Sequence, residues 1–230
     1  MARGRFVAST CFALCMLLAL AGCAPPFPPV APGKPATTIS GAASGSVSIA
    51  GSAAIAVYAT DSKGHPLADV LVYAQPVGPG TSVAPPDQPA VLNILDRQFE
   101  PAILPVRKGG SVLIQNLDSV THDIYSFSEA RPMSLRLAAG ERHTVSRFRR
   151  TGVVTVGCKV YNDMRGYIYV TDAPYFGKTD AHGYLRLAGL PSGRYKLGAW
   201  RAGSANDEVA GYPRTLTLTA HADQVVHVRL

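Results

Sequence analysis

Gly152-Val153-Val154-Thr155-Val156-Gly157-Cys158-Lys159-Val160-Tyr161-Asn162-Asp163-Met164, followed after one residue by Gly166-Tyr167-Ile168-Tyr169-Val170, decides the fold. β-Branched residues fill Val153 to Val156, and aromatic and β-branched residues fill Tyr167 to Val170. Such short runs, bounded by glycine and polar residues, read as two strands joined by one loop. That loop carries a thiol, Cys158, and a thioether, Met164. Further upstream, Asn116-Leu117-Asp118-Ser119-Val120-Thr121-His122 ends in an imidazole. Each of the three has a bland reading: a small buried hydrophobe, a core filler and a satisfied loop histidine.

Outward from this stretch the same rhythm continues. Ile55, Val57 and Ala59 alternate with small or polar neighbours, and Val70-Leu71-Val72-Tyr73 follows a turn at Asp61-Ser62-Lys63-Gly64. Ser111 to Gln115, Tyr195 to Trp200, Thr215 to Thr219 and Val225 to Leu230 recur with turn signals between them, as in a sandwich or barrel. In the last run Val226, Val228 and Leu230 face one way, and Val225, His227 and Arg229 the other. Glycine (22) and proline (18) among 230 residues favour many turns over a helix bundle. Ser128 to Ala139 is the one plausible helical stretch, and it contains Pro132. With 47% hydrophobic and 16% charged residues, the composition excludes a disordered chain, a coiled coil and a multispan membrane protein.

Three blocks between Phe99 and Val170 resemble the cupredoxin family of plastocyanin- and azurin-like copper proteins. They are Phe99-Glu100-Pro101 through Val106, Gly109-Gly110 and Val112; Asn116 to His122 with Tyr125-Ser126-Phe127-Ser128; and the stretch quoted above. They are most similar to the plastocyanin-like periplasmic proteins often labelled methylamine-utilisation proteins. The resemblance implies a Greek-key β-sandwich with a type 1 copper site, built from a thiolate, two imidazoles and a weak axial thioether. It assigns His122, Cys158 and Met164 as copper ligands, and gives Asn116 the part of an amide that ties loops together. The second imidazole should stand three residues after the cysteine, where this chain has Tyr161. Three readings follow. Copper is held by His122, Cys158 and Met164, as Cu(I), with single-electron transfer as the function. Alternatively Tyr161, Asp163 or another histidine completes an unusual site. In the third, the domain is a metal-free sandwich serving as a structural or protein-interaction module.

The N-terminus reads as an address. Arg3 and Arg5 precede an apolar run from Cys11 to Ala21, too short to span a bilayer and suited to a secretory signal over residues 1–22. Leu20-Ala21-Gly22-Cys23 resembles the lipobox of bacterial lipoproteins, which implies lipidation at Cys23, a membrane anchor, and a location on the periplasmic side of the envelope. Ala24 after the cysteine favours the outer membrane. Cys11 and Cys15 would leave with the signal, so Cys158 would be the one free thiol of the mature chain. Residues 23–45 are rich in Pro, Gly and Ser and read as a tether.

Flanking the copper-like region, Thr179-Asp180-Ala181-His182-Gly183 leads through Tyr184 to Leu187 into Gly189-Leu190-Pro191-Ser192-Gly193-Arg194-Tyr195-Lys196-Leu197. This is similar to the prealbumin-like modules called carboxypeptidase regulatory-like domains, and Thr60 to Tyr73 resembles their opening hairpin. The expected organisation is an all-β chain. A cupredoxin-like domain at 89–171 is inserted into a prealbumin-like sandwich formed by 46–88 and 172–230, or else 46–75 adds strands to the cupredoxin unit. The net charge of +7 suits an acidic partner or a membrane surface. Arg147-Phe148-Arg149-Arg150 could dock an acidic redox protein, and is too short for nucleic acid. No G-x-S-x-G or H-E-x-x-H occurs, and Gly177-Lys178-Thr179 lacks the rest of a P-loop, so no enzyme activity is expected. His65, His143, His182, His221 and His227 are expected in solvent.

Overall fold

The computed structural model describes residues 53–78, 84, 86–203 and 213–230. The leader, Cys23, the tether and the run from Ser46 lie outside the described residues. Among those described every regular element is a strand.

Two strands open the fold, β1 (Ala53–Thr60) and β2 (Leu71–Pro76). They are completed by strands from the far end of the chain: β12 (Tyr175–Lys178), β13 (Tyr184–Leu190), β14 (Gly193–Trp200), β15 (Arg214–Leu218) and β16 (Gln224–Arg229). One sheet has the order β13-β1-β16 and the facing one β12-β2-β14-β15. Ile55, Val57, Val72, Leu197 and Val228, all fully buried, form the core between them. The alternation in β16 is as the sequence indicates, with Val226 and Val228 inside and His227 in solvent. The two Thr-Asp turns are built alike. Asp61 Oδ1 accepts the N–H of Lys63 and of His65 at 2.8 Å, and Asp180 Oδ1 accepts those of His182 and Tyr184 at 2.9 Å. Gly183 (φ 71°) has no room for a side chain, because a Cβ there would strike the carbonyl oxygen of Ala59. The two turns are thus packed together.

The middle of the chain forms the second sandwich. One sheet holds β5 (Ile103–Arg107), β11 (Arg165–Thr171), β10 (Gly152–Cys158), β7 (His122–Ser126) and β8 (Met133–Leu137) in that order. The other holds β4 (Gln98–Glu100), β3 (Ala90–Leu95), β6 (Val112–Asn116) and β9 (Arg142–Val145). The chain crosses between the sheets repeatedly, which makes this the cupredoxin-like Greek-key sandwich expected from the sequence. Leu92, Ile114, Ile124, Phe148, Val154 and Ile168 are fully buried between its sheets. The stretch expected to be helical, Ser128 to Ala139, is a turn followed by β8, which pairs with β7 from Ser126↔Met133 to His122↔Leu137. Met133, Leu135 and Leu137 alternate with exposed Ser134 and Arg136. That period of two overrides helix propensity once a partner strand is present.

The sandwiches meet through aromatic side chains. Tyr167 and Tyr169, on the outer face of β11, each lie 5.5 Å from the ring of Trp200 on β14, and Tyr73 lies 6.0 Å from Tyr169. Leu71 and Ile103 are buried with Trp200 in the same cluster.

In the outer sandwich Tyr195 is 2% exposed and its hydroxyl donates to the Pro191 carbonyl at 2.8 Å. Burial, with Tyr175 close by, pushes its pKa up to about 12. An unfolded tyrosine ionises near pH 10. The neutral form is therefore favoured by folding, and this contribution is complete below about pH 10 and disappears as pH rises to about 12. We expect a steep loss of thermal stability across that interval in the native chain and a shallower one in Tyr195→Phe. Parallel melting curves would refute the assignment.

Candidate metal centre

The site is assembled from a loop that one amide holds in shape. Asn116 ends β6 with no exposure. Its Oδ1 accepts the N–H of Asp118 at 3.0 Å, closing a local turn. Its Nδ2 donates to Val120 O (2.7 Å), Ala138 O (2.9 Å) and Leu137 O (3.1 Å). The loop that delivers His122 is thereby fastened to the turn after β8.

The turn at Asn116 aims the carboxylate of Asp118 inward. Its Oδ2 lies 2.9 Å from His122 Nε2. The same carboxylate accepts the N–H groups of Asp96 (2.7 Å) and Arg97 (3.0 Å), the turn residues of the β3–β4 hairpin. Asp96 and Arg97 both have positive φ, 51° and 58°, the geometry of a type I′ turn, which ordinarily calls for Asn-Gly. Asp118 supplies the compensation. Burial works to raise its pKa, but the N–H of Arg97, the His122 ring and the N–H of Asp96 together outweigh this, and the net shift is downward. Asp118 is therefore an ionised acceptor at neutral pH.

The tautomer of His122 follows. An ionised carboxylate can only accept, so Nε2 carries the proton. With that proton on Nε2, Nδ1 is the ring nitrogen free to accept in the uncharged tautomer. It points at Cys158 Sγ, 3.7 Å away, at the end of β10. His122 has no exposure and Cys158 only 2%. Register explains the meeting, because Cys158 pairs with Ile124 across the β7–β10 ladder. Met164, 4% exposed, belongs to the same buried cluster as Cys158, and Tyr161 packs against that cluster. Met164 N–H donates to Tyr161 O at 3.1 Å, which closes the loop as a tight turn.

Tyr161 stands beside the imidazole, with ring centroids 5.3 Å apart. Arg97 lies over the same ring, 4.9 Å from its centroid, a cation–π contact. The half-buried phenol thus covers His122. Asp163 is exposed, as are His65, His143, His182, His221 and His227. Among the described residues no group of three or more His, Cys, Asp or Glu side chains is placed to hold a metal ion. Within that search a second imidazole or Asp163 does not complete the site.

The pair that is present fits a soft metal. Ordinary metal–nitrogen and metal–thiolate bonds of about 2.0 and 2.3 Å separate the two donor atoms by roughly 3.7 Å at an angle near 115°. A ligating histidine usually gives its other N–H to a carboxylate, as His122 does to Asp118. Asp118 and Arg97 were given no role from the sequence. The signal available was Asp118 four residues before His122, with Asn116 able to turn the chain between them.

No protein-family model matches the chain, and no curated protein does. Solved structures with similar backbones are cupredoxins and a copper enzyme. The Cu-containing nitrite reductase (NirK) from Thermus scotoductus SA-01 is 24% identical, with a TM-score of 0.35, over 42% of this chain and 25% of that one. The purple cupredoxin from Nitrosopumilus maritimus is 23% identical, with a TM-score of 0.32, over 36% of this chain and 99% of that one. An oxidised amicyanin mutant is 18% identical, with a TM-score of 0.34, over 37% and 84%. The chain spans a quarter of the nitrite reductase. At these values the likeness adds nothing to what the strand order already shows.

Proposed function

We propose that this is an envelope-anchored copper protein that holds Cu(I) at His122, Cys158 and Met164 and passes single electrons, without a substrate-level reaction. The observation that carries the reading is His122 Nδ1 facing Cys158 Sγ at 3.7 Å while Nε2 lies 2.9 Å from Asp118 Oδ2. A thiolate and a thioether are soft donors that suit Cu(I). With Tyr161 in place of a second imidazole, Cu(II) loses a favoured nitrogen donor, so the reduced state is stabilised relative to the oxidised one. When bound, copper would supply one-electron redox chemistry. The chain's own part is to fix the imidazole, exclude water with Tyr161 and keep the thiol buried. The outer sandwich, read as a carboxypeptidase regulatory-like module, serves as scaffold.

The chain loaded anaerobically with Cu(I) and passed over a chelator should retain one copper, and Cys158→Ser should retain none. Equal retention by the serine variant would defeat the site. A metal-free interaction module is the second reading, favoured by the fact that a Cys158 S–H donated to His122 Nδ1 satisfies the buried ring without any metal. Failure of both proteins to retain copper would select it.

Anchoring is proposed at Cys23, through the lipobox-like Leu20-Ala21-Gly22-Cys23, on the periplasmic side and at the outer membrane. Detergent phase partition of the expressed protein should be lost in Cys23→Ala. Unchanged partition of that variant would remove the lipid anchor from the account.

A further inference from the structure

The tip of the β3–β4 hairpin is built from residues ill-suited to its shape. Asp96 (φ 51°) and Arg97 (φ 58°) are the one adjacent pair of left-handed non-glycine residues among those described. Other left-handed positions go to glycine, as at Gly64, Gly109 and Gly140. Glycine adopts this conformation without steric cost, whereas a Cβ raises its energy. Asp118 supports the pair, but through the N–H groups of residues 96 and 97, which glycine would supply equally. The turn itself therefore has no use for the arginine side chain. A residue kept in a costly conformation points to a task for that side chain elsewhere.

The guanidinium shows where the task lies. Arg97 is exposed and forms no ion pair among the described residues, and its guanidinium rests 4.9 Å from the centroid of the Tyr161 ring. Lys159, Val160, Asn162 and Asp163 are all exposed. Between Cys158 and Met164, Tyr161 is thus the one side chain laid on the site, 5.3 Å from the His122 ring and against the cluster that holds the thiol. A closed circuit results. Asp118 holds the Arg97 backbone and the His122 ring, the Arg97 side chain holds Tyr161, and Tyr161 covers His122.

We propose that Arg97 is a positioning residue that latches Tyr161 over the His122–Cys158 pair, so that the β3–β4 hairpin controls access to the pair. It acts through the ring and not as a ligand. That the species admitted is a soft metal ion rests on the copper reading above; the latch itself does not.

The test is alkylation of Cys158 by iodoacetamide in the metal-free full chain. The rate is read at the peptide that contains Cys158, so Cys11, Cys15 and Cys23 do not contribute. A buried thiol reacts through transient opening, at a rate set by the population of the open form. Arg97→Gly keeps the N–H for Asp118 and suits the left-handed turn, and removes only the latch. It should speed alkylation roughly two- to fivefold, the factor that a cation–π contact at an exposed site represents. Arg97→Lys should keep alkylation slow, and Arg97→Gln should not. Loss of a cation can only slow the alkylation of a thiol, so acceleration reads access and not charge. Tyr161→Ala should also accelerate it, and Arg97→Gly should add nothing in that background. Slow hydrogen exchange along β10 in each variant verifies that it is folded. Native-rate alkylation of a folded Arg97→Gly chain would overturn the proposal. So would an equal acceleration by Arg97→Gly with and without the Tyr161 ring, which would place the effect of Arg97 elsewhere. Failure to retain copper would remove the metal reading and leave this result unaffected.

Discussion

Tyr161→His should turn the copper-loaded protein intensely coloured. The phenol already stands 5.3 Å from the His122 ring, on the loop that joins Cys158 to Met164. An imidazole there adds the nitrogen donor that Cu(II) needs beside a thiolate. Thiolate-to-copper charge transfer then gives a strong visible band, absent from the native chain treated identically. Loss of Tyr161 also removes the cation–π contact with Arg97 at 4.9 Å, worth about 0.5–1 kcal/mol at an exposed site, too little to unfold the domain. A folded Tyr161→His chain that stays colourless with Cu(II) would show that the loop does not present residue 161 to the thiol and imidazole.

Asn116→Ala should be among the most destabilising single changes in the central sandwich. The side chain is fully buried, and its Nδ2 fastens the His122 loop to the end of β8 and the turn after it, beside the backbone bonds from Asn116 N–H to Glu141 O and from Gly140 N–H to Asn116 O. Its removal strips three carbonyl oxygens of a donor and leaves a cavity. At about 1–3 kcal/mol for leaving a buried polar group unpaired, a loss of roughly 3 kcal/mol is expected. For a domain pair of this size that lowers the melting temperature by about 6–12 °C. Copper retention should fall with it, because Asp118 loses its turn and His122 its fixed ring. Asn116→Asp should be at least as damaging, since it sets a carboxylate oxygen against the same three carbonyls. A melting temperature unchanged in Asn116→Ala would mean that the loop is held by other means.

The parts of this molecule that could be read in its sequence are those written in local periodicity. Val153 to Val156 and Tyr167 to Val170 are strands because their composition admits little else, and the loop between them fixes the order of thiol and thioether. The alternation of β16 was equally plain. Ser128 to Ala139 misled because single-chain propensity cannot see that β7 waits beside it. The histidine–cysteine contact was legible only through resemblance, since it depends on the ladder that pairs Cys158 with Ile124. Asp118 was hidden for a different reason. Its role arises from three segments at once: the turn closed by Asn116, the Asp96–Arg97 hairpin and the His122 ring. The hairpin itself carries no Asn-Gly signature, because its left-handed residues are supported by that distant carboxylate and not by glycine. Tyr161 was visible as a missing ligand, whereas its ring contacts with His122 and Arg97 were not.

X-ray absorption at the copper edge of the loaded, reduced chain tests the central claim most directly. The account predicts a low-coordinate Cu(I) with sulfur and a single imidazole nitrogen in its shell, and loss of the thiolate sulfur in Cys158→Ser. A shell of nitrogen and oxygen alone, unchanged by that substitution, would contradict it.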